Sequence, residues 1–233
     1  MVPMAAEMEN GGVHHTGAFM SVPSILLIPG QIALVWLIAD FITGFVHWLE
    51  DAYGNPDLPV LGQHMTRPNL LHHYAPRAIV DNSWFRSARG LLAICALLGL
   101  LAAALGVFNW MVALGLFLSA NANEVHKWSH RTRRENGPVV RLLQRLRLVQ
   151  SPSHHHRHHA HEKNSNYCIL TDFLNPVLER VQFWSRLEWF VLQVFGVPRR
   201  DEDAVAARLV AEAPETFGPY LPIVVRRLRR HHE

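Results

Sequence analysis

Charge is scarce in this chain. Asp, Glu, Lys and Arg make up 18% of its 233 residues, against about a quarter in soluble domains. Apolar residues reach 49%, and mean hydropathy is slightly positive at +0.05. That balance favours a membrane protein. Cysteine is rarer still. Cys95 and Cys168 form no CxxC pair, which argues against a disulfide framework or a cysteine zinc site. There is no GxSxG, P-loop or GxGxxG, so nucleophilic hydrolysis, nucleotide hydrolysis and Rossmann cofactor binding lack their motifs. No haem, flavin or iron–sulfur motif and no internal repeat is present. The length suits one domain or two small ones.

What the chain does have is long apolar runs. Residues 1–21 read as a flexible arm, with Glu7, Glu9, a solvated His14–His15 pair and no Lys or Arg. Residues 22–49 are apolar, interrupted early by Pro29-Gly30, and 31–49 suit one membrane span, which takes about 20 residues. With no basic segment ahead of it, a cleaved signal peptide is disfavoured. A second block, residues 88–128, is interrupted at Gly106 and Asn109. It reads as two spans, near 88–105 and 110–127, joined by a tight turn.

Basic residues set the orientation. None precedes the first span. Arg67, Arg77, Arg86 and Arg89 follow it, and Lys127, Arg131, Arg133 and Arg134 follow the third. The positive-inside rule puts the N-terminus outside and these segments in the cytoplasm. In residues 138–150, Val139, Leu142, Leu143, Leu146 and Val149 share a helical face beside Arg141 and Arg145, as in a helix at the membrane interface. Residues 177–195, with Phe183, Trp184, Trp189 and Phe190, do the same or pack on the bundle. Residues 22–200 thus form the membrane domain. The tail, 201–233, ends in RRLRRHHE and reads as a cytoplasmic extension meeting anionic lipid or an acidic partner. Its His231 and His232 read as solvated ends.

Sixteen histidines stand out against this background. Asp40, Gly44, His47 and Asp51 are spaced 4, 3 and 4 on the first span, and Ser119, Asn123, His126 and His130 repeat that spacing on the third. Each set shares one helical face. Ionisable groups in membrane helices are costly and usually face a protein interior, so two matched stripes suggest a shared site. An i,i+4 histidine pair aims two imidazoles at one metal. Asp40 fits helix packing better than ligation. RPNLLHHYAP places His72 and His73 in a loop between Pro68 and Pro76, where they can diverge, and His64 stands apart at the surface. In SPSHHHRHHAHE (151–162), Ser151 reads as an N-cap and Pro152 as the first helical residue. On that helix His154 and His158 are i,i+4, as are His155 and His159, while His156, Arg157 and His161 point elsewhere.

Imidazole suits zinc, copper, iron and nickel. A zinc ion takes three or four protein ligands, so eight clustered histidines point to two metals. GFVHWLEDAYG, RPNLLHHYAP, NEVHKWSH and HHHRHH with NYCI, in this order across residues 36–200, resemble the Kua-type lipid desaturases. That family includes the animal plasmanylethanolamine desaturase, its bacterial relatives and a plant phosphatidylglycerol desaturase.

The resemblance implies an all-α integral membrane bundle: about three spans plus interfacial and cytoplasmic helices, with a histidine-rich metal site on the cytoplasmic side. It implies a di-iron centre, with O2 as co-substrate, that removes two hydrogens from a phospholipid chain. Carried over by motif, the ligands are His47, His72, His73, His126, His130, His155, His158 and His159. Asp51 fits the HxxxD pattern as a ligand or as a neighbour that orients ligands, a role also open to Asn123 and Glu124. His154 matches the animal HHxxHH pattern, whereas the plant motif keeps HxxHH. AHEKNSNYCI departs from the animal pattern and bears on His161, Glu162 and the substrate. Vinyl-ether formation on plasmanylethanolamine is the leading expectation. Acyl-chain desaturation, hydroxylation and a non-enzymatic metal-handling membrane protein are the alternatives. Electrons come from an external ferredoxin or cytochrome b5-like donor, and no nucleic acid is involved.

Overall fold

Apolar residues dominate α1 (Ser24–Tyr53), the longest helix of the computed structural model, which describes residues 24–160 and 164–231. His14, His15, His161, Glu162, His232 and the side chain of His231 lie outside the described residues. All regular structure among the described residues is helical. Pro29 does not break α1. It sits near the helix start, where its missing N–H forfeits a single bond, to the carbonyl of residue 25. Leu34, Ile38, Ile42, Phe45 and Leu49 stay exposed, while Val35, Ala39, Trp48 and Ala52 are buried.

After α2 (Arg67–Tyr74), Ser83 caps α3 (Trp84–Ala104) by accepting from the Arg86 N–H. Gly106, at φ +70°, makes the turn. Asn109 then caps α4 (Trp110–Ala120), accepting from the N–H groups of Met111 and Val112. The helix packs back against both α3 and α1. On α3 Leu97, Leu98, Leu100 and Leu101 face outward, Leu100 being 71% exposed. Two helices are long and apolar enough to cross a membrane, at Leu27–Tyr53 and Trp84–Ala104.

The third expected span is instead two helices, α4 and α5 (Ala122–His130), divided at Asn121. Asn121 spends its amide on the Phe117 carbonyl, at 2.9 Å, and accepts from Trp84 Nε1 at 3.0 Å. Such local side-chain bonding competes with helix continuation.

The remaining helices pack mainly on α1, α2 and α5. On α6 (Pro138–Arg145) and the turn after it, the expected apolar face divides. Val139, Leu142 and Leu146 are exposed, whereas Leu143 and Val149 pack with Ala39, Val125 and Leu170. Beyond α7 (Pro152–His155) and α8 (Leu174–Arg180), α9 (Phe183–Phe195) buries Trp184 against Trp48, Tyr167 and Cys168 and exposes Trp189, Phe190 and Phe195. Residues 201–231 are not an extension. They form α10 (Glu202–Glu212), a 3-10 segment and α11 (Leu221–His231). Ala206, Leu209, Phe217, Val224 and Leu228 bury Leu70 and Tyr74 of α2 in a third cluster.

One stripe of α1 organises the interior. Asp40 accepts from the Leu170 N–H at 2.8 Å, the Thr171 N–H at 3.2 Å and the Thr171 hydroxyl at 2.6 Å. One turn on, a Cβ at Gly44 would lie 2.9 Å from the Cα of Cys168. Glycine therefore lets the 167–171 segment lie directly on the helix. Gly44→Ala is expected to cost about 1–3 kcal/mol through overpacking, seen as a lower melting temperature in detergent. Gly90→Ala, with open space around its Cβ, leaves the melting temperature unchanged or raises it.

Candidate metal centre

Two groups of ligand-bearing side chains lie side by side near the C-terminal ends of α1, α2 and α5. One comprises His72, His126, His130, His155 and His159, the other His47, Asp51, His73 and His158. Within each group the candidate ligand atoms all lie within 4.8 Å of one another. Rings of different groups approach to 5.2 Å (His158–His159), 5.4 Å (His47–His126, His73–His159) and 5.7 Å (His72–His73). The groups are adjacent, and all members except His130 and His159 are buried.

The backbone explains this convergence. His47 and Asp51 lie one turn apart on α1, as do His126 and His130 on α5. RPNLLHHY is a helix and not the expected loop, because Pro68 stands at its start, where proline is tolerated. Neighbours on a helix diverge by roughly 100°, so His72 joins one group and His73 the other. Ser151 caps α7 as expected, accepting from the His154 N–H. The helix ends at His155, and turns carry His158 and His159 back into different groups.

That early end separates His154 from the groups. Its Nε2 lies 3.1 Å from Asn175 Nδ2 and its Nδ1 3.9 Å from Asp172, so it braces the 168–175 segment. Asn123 donates to the Ser87 carbonyl, and Glu124 pairs with Lys127 and Trp128; neither orients a grouped imidazole. His64 and His156 are exposed.

Orientation differs between the groups. In the smaller one, each Nδ1–H donates outward: His47 to the Tyr167 carbonyl at 3.1 Å, His158 to the Ser165 carbonyl at 2.8 Å, and His73 to Glu202 at 2.7 Å. Each Nε2 then faces Asp51, at 3.6, 3.4 and 3.5 Å respectively. Asn69 holds Asp51 at 2.5 Å. Glu202 has no counterpart among the residues expected from the sequence. It lies 129 positions from His73, in a tail read as an extension, and its one local signal is its place in the charged first turn of α10.

The donor set fits metal ions. Six nitrogens (His47 Nε2, both of His72, His130 Nε2, His155 Nδ1 and His159 Nδ1) and Asp51 Oδ2 are buried without a hydrogen-bond partner. His155 Nε2 lies 2.9 Å from His126 Nε2 and 3.0 Å from His159 Nε2, and one N–H can serve only one of these. An unsatisfied buried polar atom costs about 1–3 kcal/mol. Seven of them cost on the order of 10 kcal/mol, comparable to the whole stability of a domain. Bound cations would remove that cost. Burial foremost, then the surrounding imidazoles, hold His72, His155, His158 and His159 well below the usual histidine range, and His130 at about 3. All five are neutral at pH 7, the form that ligates metal.

A family model described as a lipid desaturase domain matches residues 36–202. A plasmanylethanolamine desaturase of Myxococcus xanthus is 33% identical over 208 residues, covering 85% of this chain and 72% of that protein. Plasmanylethanolamine desaturase 1 of Mus musculus is 33% identical over 192 residues, covering 76% and 69%. A probable fatty acid desaturase of Acanthamoeba polyphaga mimivirus is 32% identical over 177 residues, covering 74% and 86%. No solved structure matches the chain.

Substitutions separate the two kinds of histidine. His155→Ala is expected to lower bound metal, measured by elemental analysis of the purified chain, by about one ion of two. His154→Ala is expected to keep both ions and to lose about 1–3 kcal/mol of stability, because one Asn175 Nδ2–H loses its acceptor.

Proposed function

The chain belongs to the lipid desaturase family, and from that premise we propose that it is an O2-dependent di-iron desaturase converting plasmanylethanolamine to plasmenylethanolamine. The observation that carries this reading is the pair of adjacent, buried groups with eight histidines and one carboxylate. Its support is the 33% identity to plasmanylethanolamine desaturases over most of the chain. The reaction takes one hydrogen from each of two neighbouring carbons. O2 accepts them with two further electrons and two protons, and leaves as two waters. Two irons, when bound, supply the oxygen-activating redox chemistry. The electrons come from an external carrier of the ferredoxin or cytochrome b5 type.

The chain's own residues hold and shield that chemistry. His72, His126, His130, His155 and His159 would hold one iron, and His47, Asp51, His73 and His158 the other. The carbonyls of Tyr167 and Ser165 keep His47 and His158 as Nδ1–H tautomers with Nε2 inward, the usual way such partners orient ligands. Burial keeps bulk water from the reacting chain. The exposed apolar faces of α1, α3, α6 and α9 lie in the membrane that supplies the lipid. The positive-inside rule, applied to the basic residues, supports a centre on the cytoplasmic side and an N-terminus outside.

A second reading, desaturation of an acyl chain, is favoured by the 32% identity to the mimivirus probable fatty acid desaturase. Mass spectrometry of lipids from cells with and without the gene, fed an alkyl-ether lipid, tests both. An ether lipid lighter by two hydrogens and cleaved by acid is the expected product. The same loss from an acyl chain supports the second reading, and no loss from either contradicts both. His126→Ala is expected to abolish the product at unchanged protein level.

A further inference from the structure

The three histidines of the smaller group each donate Nδ1–H outward, but to acceptors of different kinds. Those of His47 and His158 are main-chain carbonyls, which side-chain substitution leaves in place. His73 donates to a carboxylate, Glu202 Oε2, at 2.7 Å. Glu202 is 11% exposed and the His73 side chain is fully buried, so the pair is little screened by water. A charged acceptor holds an imidazole more firmly than a carbonyl does. It also raises the basicity of the opposite nitrogen, here Nε2, which lies 3.5 Å from Asp51 and 3.2 Å from His158 Nε2.

Glu202 is fixed in turn. It opens α10, whose first turn is capped by Asp201 accepting from the Ala204 N–H at 2.9 Å. Just before it, the Arg200 N–H donates to the Ala52 carbonyl at 2.7 Å, and its guanidinium to the Gly54 carbonyl at 2.5 Å. Asp203 accepts from the Tyr74 hydroxyl. Arg227 of α11 donates to the His73 carbonyl at 3.2 Å. The start of α10 is thus tied to the end of α1 and, with α11, to the end of α2. Those two ends carry Asp51 and His73. The family match stops at residue 202, so nearly all of the hairpin that steadies Glu202 lies beyond it.

We propose that Glu202 is a positioning residue for the smaller metal group: delivered by the α10–α11 hairpin, its carboxylate holds His73 with Nε2 inward and thereby sets how tightly that group retains its ion. The larger group, which has no contact with Glu202 among those described, is not governed by it. The inference rests on the reading that both groups bind metal.

The test uses the full-length chain purified in detergent and loaded with ferrous iron, with release to a chelator followed in time. Melting temperature is measured on the metal-free form. Removing such a partner typically weakens a metal site about 10–100-fold. Glu202→Ala is therefore expected to release one of two ions at least about 10-fold faster, the other at the wild-type rate. Glu202→Gln, which keeps an acceptor oxygen without the charge, falls between and retains the wild-type metal-free melting temperature. Asp203→Asn, which keeps an acceptor oxygen for Tyr74 and leaves the Glu202 carboxylate in place, leaves release unchanged. The proposal is overturned if Glu202→Ala releases both ions at wild-type rates, or if Asp203→Asn speeds release as much as Glu202→Ala does. If the wild-type chain binds fewer than two ions, the metal reading falls and this inference with it.

Discussion

Neutral imidazoles crowd together at the centre of this protein with their bare nitrogens facing one another, and the surrounding helices serve to keep them there. His155 Nε2 sits near 3 Å from two other Nε2 atoms, an arrangement that hydrogen bonding alone satisfies only in part. The cost is electrostatic and local. Cations between the rings would relieve it and would turn a destabilising cluster into a folding contribution. Metal binding would then couple the ion to the fold.

The coupling shows in how different elements depend on one another. On α1, Asp40 and Gly44 bind nothing at the centre, yet they seat the 167–171 segment. That segment returns the Tyr167 carbonyl to His47. His154, left out of both groups, braces the same segment through Asn175. Asn175 in turn accepts from the Cys168 N–H and donates to its carbonyl.

Much of the centre was legible in the sequence because its logic is periodic. The 4, 3, 4 stripe on α1 and the i,i+4 pair on α5 are helix geometry written in residue types, and all eight expected histidines and Asp51 fall in the two groups. What was misread depended on context. Pro68 looks like a boundary of a loop, and at a helix start it is one of the favoured residues. Asn121 sits in an apolar run whose hydropathy conceals a break made by side-chain bonding. The His154/His158 pairing presumed a helix that ends after one turn. The tail's charge suggested an extension meeting anionic lipid or an acidic partner, whereas its helically spaced Ala206, Leu209, Val224 and Leu228 bury Leu70 and Tyr74 of α2. Glu202 was invisible because its partner is brought near only by tertiary folding.

The central claim is that the nine grouped side chains hold two iron ions, one in each group. X-ray diffraction from crystals of the purified chain, collected on either side of the iron absorption edge, tests this most directly. The account predicts two anomalous peaks that appear above the edge, one among His72, His126, His130, His155 and His159 and one among His47, Asp51, His73 and His158. A single peak, or peaks that appear only at the zinc edge, would contradict it.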